Sequence, residues 1–155
     1  GVCQTSTTVY NAALLAGLPI LERHPHTFAP GYAPPGRDAA VAYSGVDLRF
    51  RNPFAWPIVL HCAPKGQMLV CRITSQRPSP TRVALRRSEL ERYAPTTAHV
   101  APGTGSPRTR WRLSGRDGVE VVISRDFYSG DVCVRHEFIS DNTYRPISRA
   151  EWRSQ

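Results

Sequence analysis

The residues with the clearest chemical potential lie in the first fifty positions. Cys3 stands just ahead of the S/T-rich and then apolar run Thr5 to Ala16, in which Val9, Ala12, Ala13 and Ala16 recur at helical spacing before Gly17 and Pro19 end it. This predicts a helix over Gln4 to Ala16, with the hydroxyls of Thr5, Ser6, Thr7 and Thr8 suited to its first turn. Free N–H groups and the positive end of a helix dipole favour a thiolate over a thiol, so a cysteine at such a start is a candidate nucleophile. His24 and His26, two apart on extended chain, face one side and supply a base that can return its proton to a leaving group. Asp38 or Asp47 can orient one of those imidazoles. Arg37 and Arg49 are candidates for a substrate carboxylate, which a guanidinium fork binds bidentately. The backbone at Cys3 and Gln4 would receive an oxyanion.

The elements that must position these groups follow from patterning. Pro25 to Arg37 carries four prolines and two glycines and reads as a long constrained loop. Strands are expected at Ala40–Tyr43, Val46–Arg51, Ile58–Ala63 and Met68–Ile73, the last two joined by a hairpin at Pro64-Lys65-Gly66-Gln67. Residues 75–109 are rich in Pro, Thr and Arg and read as a linker or surface excursion with one helical turn at Ser88–Arg92. Strands then resume at Arg110–Leu113, Val119–Ile123 and Val132–Ile139. The fold class expected is α+β: the cysteine-bearing helix packed on an antiparallel sheet from residues 39–73, with a second C-terminal strand group. Residues 1–74 form the core, and 110–155 a β-rich extension of the same domain.

Composition narrows the function classes. The 155 residues carry 20 basic and 12 acidic side chains, a formal charge of +8, and all the basic ones but Lys65 are Arg. That points to an anionic partner without naming it. The arginines are scattered singly with no interleaved aromatic stripe, so nucleic acid is not the expected partner. Cys62, Cys71 and Cys133 lie in apolar strand patterns and read as buried thiols. Cys62 and Cys71 are expected to be diagonal across their hairpin, unsuited to a disulfide, and no CxxC or paired His supports a metal. His61, His99 and His136 have no visible partners and receive no role. No run of 18 apolar residues is present, and a membrane would be reached only through an anchor upstream of this stretch.

Four blocks carry a resemblance: Cys3-Gln4-Thr5-Ser6-Thr7-Thr8-Val9-Tyr10-Asn11-Ala12, Glu22-Arg23-His24-Pro25-His26-Thr27, Pro34-Pro35-Gly36-Arg37-Asp38-Ala39 and Asp47-Leu48-Arg49-Phe50-Arg51-Asn52. In this order and spacing they resemble the VanW-like family of bacterial envelope proteins, named for an accessory protein of vancomycin-resistance clusters. The resemblance implies an extracytoplasmic protein, membrane-anchored or secreted to the cell wall, acting on peptidoglycan stem peptides without a cofactor. It implies L,D-transpeptidase chemistry, with Cys3 as nucleophile and His24 or His26 as base. The contrasting expectation is a non-catalytic wall-binding accessory module in which arginines and exposed Tyr32, Trp56 and Tyr144 bind sugar or anionic surfaces.

Overall fold

The computed structural model describes residues 1–100 and 112–152. One helix, α1 (Val2–Leu15), is followed by ten strands. These are β1 (Ile20–Glu22), β2 (Arg49–Phe50), β3 (Ile58–Lys65), β4 (Met68–Ser75), β5 (Arg82–Tyr93), β6 (Thr97–Val100), β7 (Arg112–Leu113), β8 (Gly118–Ser129), β9 (Val132–Tyr144) and β10 (Arg149–Trp152). They form four small sheets: β1-β2, β3-β4, β6-β10-β7 and β5-β8-β9.

The expectation of an α+β fold is overturned, because the described residues are mainly β with a single 14-residue helix among them. Residues 39–73 do not build one sheet for the helix to lie on. They yield the two-residue β2, bonded to β1, and the separate β3–β4 hairpin, while Ala40 and Ala42 make only isolated bridges to His24 and Val46. The reason is local. The backbone at Ala39 finds its partners on α1, accepting from Ser6 Oγ at 2.6 Å and donating to Thr7 Oγ1 at 3.0 Å, so it needs no strand beside it. The hydroxyls expected to cap α1 are instead turned along it: Thr5 donates to Gly1 O and Thr8 to Gln4 O.

The helical turn expected at Ser88–Arg92 is also wrong. Those residues continue β5, paired along β8, with a bulge between Glu89 and Glu91. The i,i+3 pair of Glu89 and Arg92, 2.7 Å apart, mimics a helical signal but forms across the bulge. Central β8 buries Val119, Val121, Ile123, Arg125 and Phe127 on one face, and Asp126 is covered on the other. Arg125, 1% exposed, donates to Leu14 O and Leu18 O at 3.1 and 3.0 Å and to Glu137 at 2.9 Å. It thereby adds a second donor to Leu14 O, which also accepts from the Gly17 N–H, and supplies one to Leu18 O just past the end of α1. Tyr10, Leu14 and Ala39 form the core under α1, with Ile20, Leu48, Leu85 and Ile139 packed against them.

Cys62 and Cys71 are directly opposed in the β3–β4 register, not diagonal, and form a disulfide. The buried-thiol expectation also fails for Cys133, which is exposed. An apolar run had suggested burial for both regions, yet β3 and the start of β9 are edge strands whose outer faces meet water. The side chains of His99 and Trp111 lie outside the described residues.

Candidate functional site

Asp38 is the anchor of the site. It is fully buried at the end of a turn closed by Arg37 N–H to Pro34 O, 3.0 Å, and it follows Gly36. Gly36 has φ +85°, and a Cβ there would lie 2.5 Å from the Ile123 side chain, so only glycine lets the turn sit on β8. One Asp38 carboxylate oxygen accepts from Arg23 at 2.9 Å and from the Tyr144 hydroxyl; the other accepts from the His26 N–H at 2.8 Å and from His26 Nδ1 at 2.6 Å. Burial alone would push the Asp38 carboxyl up, but the Tyr144 and His26 hydrogen bonds and the Arg23 charge outweigh it and hold the group below the usual carboxylate range. Tyr144 is correspondingly pushed up to about 12, by burial first and then by Asp38.

An ionised Asp38 fixes the tautomer of His26. Nδ1 donates to the carboxylate, so in the neutral ring Nε2 is the acceptor. That nitrogen stands 3.4 Å from the hydroxyl of Tyr32, a ring packed edge-on against the imidazole. Burial pushes the Tyr32 phenol up, opposed by a hydrogen bond from Thr7, with the nearby Cys3 and Asp38 adding to the rise. Cys3 lies in the first turn of α1 and is partly buried; its thiol donates weakly to Val41 O at 3.6 Å. The first helical N–H with an intrahelical partner is that of Thr5, bonded to Gly1 O at 3.2 Å, so the N–H groups of Cys3 and Gln4 remain outside the ladder. A cleft of about 470 Å³ lies between Val2, Val41, Tyr43, Val46 and Asp47, and none of Cys3, Tyr32, His26 and Asp38 lines it.

The structure therefore links Asp38, His26 and Tyr32 in turn, while the Cys3 thiol is bonded to Val41 O. The other residues singled out in the sequence are placed elsewhere. His24 turns to Glu22, 3.0 Å away, which also pairs with Arg49 at 3.6 Å. Exposed Asp47 accepts from the N–H of Leu48 and lines the cleft at Val2 and Val41, while the two imidazoles pair with Glu22 and Asp38 instead. Arg37 is fastened to Asn11 Oδ1 at 2.6 Å, while Asn11 returns a bond to Arg37 O at 2.8 Å. Gln4 is exposed at the helix start. Tyr144, expected as an exposed aromatic, is wholly buried because its hydroxyl is needed at Asp38 and Gly36 N. Arg23, Tyr32 and Tyr144 were not among the catalytic candidates. Arg23 and Tyr32 stand close in sequence to His24 and to the proline loop, but nothing in their spacing marks their roles, and Tyr144 comes from the far end of the chain.

Comparison with known proteins agrees with the placement of these residues in one segment. A family model described as VanW like protein matches residues 1–74. The protein YoaR of Bacillus subtilis (strain 168) is 41% identical over 75 residues, a stretch that is 48% of this chain and 25% of that protein. Among solved structures, the G5 domain of HP0197 aligns with 49% of this chain and 100% of that chain at 14% identity and a TM-score of 0.24. An IgA1 protease G5 domain aligns with 50% of this chain and 94% of that chain at 18% identity and a TM-score of 0.30. At these scores the likeness defines no shared fold. The segment that holds Cys3, His26 and Asp38, residues 1–74, belongs to the VanW-like family.

Proposed function

We propose that this chain is an extracytoplasmic module that engages peptidoglycan, and that Cys3 carries acyl transfer on its stem peptides. The observation that supports the chemistry is the His26 imidazole, oriented through Nδ1 by buried Asp38, with its Nε2 turned to the Tyr32 hydroxyl. In the transfer step His26 Nε2 takes the Cys3 thiol proton, after Tyr32, 44% exposed, has swung aside or relayed it. The thiolate attacks the donor carbonyl, and the N–H groups of Cys3 and Gln4 face the developing oxyanion. His26 then gives its proton to the departing amine, leaving a thioester that an acceptor amine resolves. Resolution by water would make the same site a carboxypeptidase. The Cys62–Cys71 disulfide supports an oxidising compartment.

A binding-only module is the second reading. It is favoured by the contact between Tyr32 and His26 Nε2 and by the Cys3 thiol's bond to Val41 O, both of which occupy the groups that catalysis needs free. The test pairs two assays. Transfer of a tetrapeptide donor to an amine acceptor should be abolished by Cys3→Ala and fall about a hundredfold or more in His26→Ala, while Cys133→Ser leaves it unchanged. Co-sedimentation with insoluble peptidoglycan should survive both Cys3→Ala and His26→Ala. Retained binding with no transfer in the unmodified chain selects the binding module; loss of both overturns the peptidoglycan assignment.

A further inference from the structure

A second aspartate–histidine pair lies on the other side of the fold, outside the matched segment. Asp126 on β8 is 3% exposed, and its Oδ1 accepts from His136 Nδ1 on β9 at 2.6 Å. Its Oδ2 accepts from Arg86 Nε on β5 and, at 3.4 Å, from the Tyr128 hydroxyl. The Arg86 fork is thus set in place, with Nη2 also 3.3 Å from the Tyr128 hydroxyl. Four residues back along β5, the Arg82 guanidinium lies 4.5 Å from the centre of the Tyr128 ring and makes no ion pair among the described residues. The register explains the gathering. Arg82 is paired with Tyr128, Ala84 with Asp126 and Arg86 with Ser124, so alternation places both arginines on one face with small Ala84 between them.

We infer that this face of the β5–β8–β9 sheet is an oxyanion site, in which Arg82 and Arg86 take a phosphate or carboxylate group between them above Tyr128. Two guanidinium charges face one carboxylate, so a unit of positive charge is left for a ligand. The carboxylate consumes only the Nε edge of Arg86, and the whole Arg82 fork is open. The Ala84 methyl leaves room that a longer side chain would fill. His136 borders the site and, donating through Nδ1 to Asp126, orients the carboxylate that holds Arg86. The arrangement differs from an ordinary surface ion pair in that its acid is covered by the groups it positions.

The experiment uses the full chain and follows the Arg Nε–Hε signals by NMR, with sodium phosphate in one arm and sodium acetate in the other, ionic strength held constant with sodium chloride. The expected result is a saturable shift of the Arg82 and Arg86 signals in at least one arm, and the arm that saturates names the anion. Arg82→Gln keeps the Asp126 pairings and should weaken binding roughly tenfold. Arg92→Gln, on the same strand but paired with Glu89 and Asp117, should not change it. Shifts that fail to saturate in both arms, or that are the same in Arg82→Gln as in the unmodified chain, overturn the site.

Discussion

Among the described residues two aspartate–histidine pairs have equal length, 2.6 Å from Nδ1 to carboxylate oxygen, and their surroundings make them different devices. The Asp38 carboxylate is fully buried and compensated by Arg23, itself 5% exposed, so its charge is neutralised inside the protein and its imidazole is held rigidly, 26% exposed. Asp126 is also covered, but by His136 and Arg86, 62% and 60% exposed, whose other edges reach solvent. A buried partner fixes a tautomer and an angle; an exposed partner leaves donors for a ligand. The pair alone predicts neither chemistry, and only what stands behind the carboxylate separates an orienter of a base from an organiser of a guanidinium.

Removing the two acids should break the comparison most visibly. Asp38→Ala leaves the Arg23 guanidinium buried without its partner, and chemical denaturation should show a loss of about 3–5 kcal/mol. Asp126→Ala frees side chains that water can serve and should cost far less, leaving the denaturation midpoint close to that of the unmodified chain. Equal losses would dissolve the distinction.

A smaller effect follows from the two tyrosines. Tyr144→Phe strips a donor from Asp38 and an acceptor from the Gly36 N–H, both buried, and should cost about 1–3 kcal/mol. Tyr128→Phe removes a hydroxyl at the edge of solvent and should cost about 0.5 kcal/mol. Thermal melts of the two variants, side by side, measure the difference.

The smallest expected signals are in pH. Asp38 titrates lower in the folded chain than its ordinary 3.8, so its contribution is complete above that value and is lost as pH falls through the lower folded value. Tyr144 titrates higher, about 12 against 10.0, so its contribution is complete below pH 10.0 and is lost as pH rises toward 12. Denaturation midpoints should decline at both ends, and Tyr144→Phe should flatten the alkaline decline. An alkaline slope unchanged in that variant would place the sensitivity elsewhere, for instance on Tyr93, also pushed up to about 12 by Glu120.

Sequence alone determined what depends on neighbours along the chain. The helix bearing Cys3, the irregular proline loop, and the β3–β4 hairpin with its turn at Gly66, where φ is +62°, are all legible because helical apolar spacing, proline and strand alternation are local effects. The candidates His26 and Asp38 were legible as residue types, and four blocks in order were enough to suggest the family. Tertiary structure decided the rest. It chose Asp38 over Asp47 because the Gly36 turn seats on Ile123, more than eighty residues away. It buried Tyr144 by giving its hydroxyl a carboxylate, and drew Arg125 beneath the end of α1. It opposed Cys62 to Cys71 through a register that a one-residue slip would have reversed. Ser88–Arg92 became strand because β8 supplies cross-strand partners to all but the bulged Leu90, and these outweigh a weak helical preference. Each of these depends on which distant backbone arrives alongside, and composition and local spacing carry no record of that.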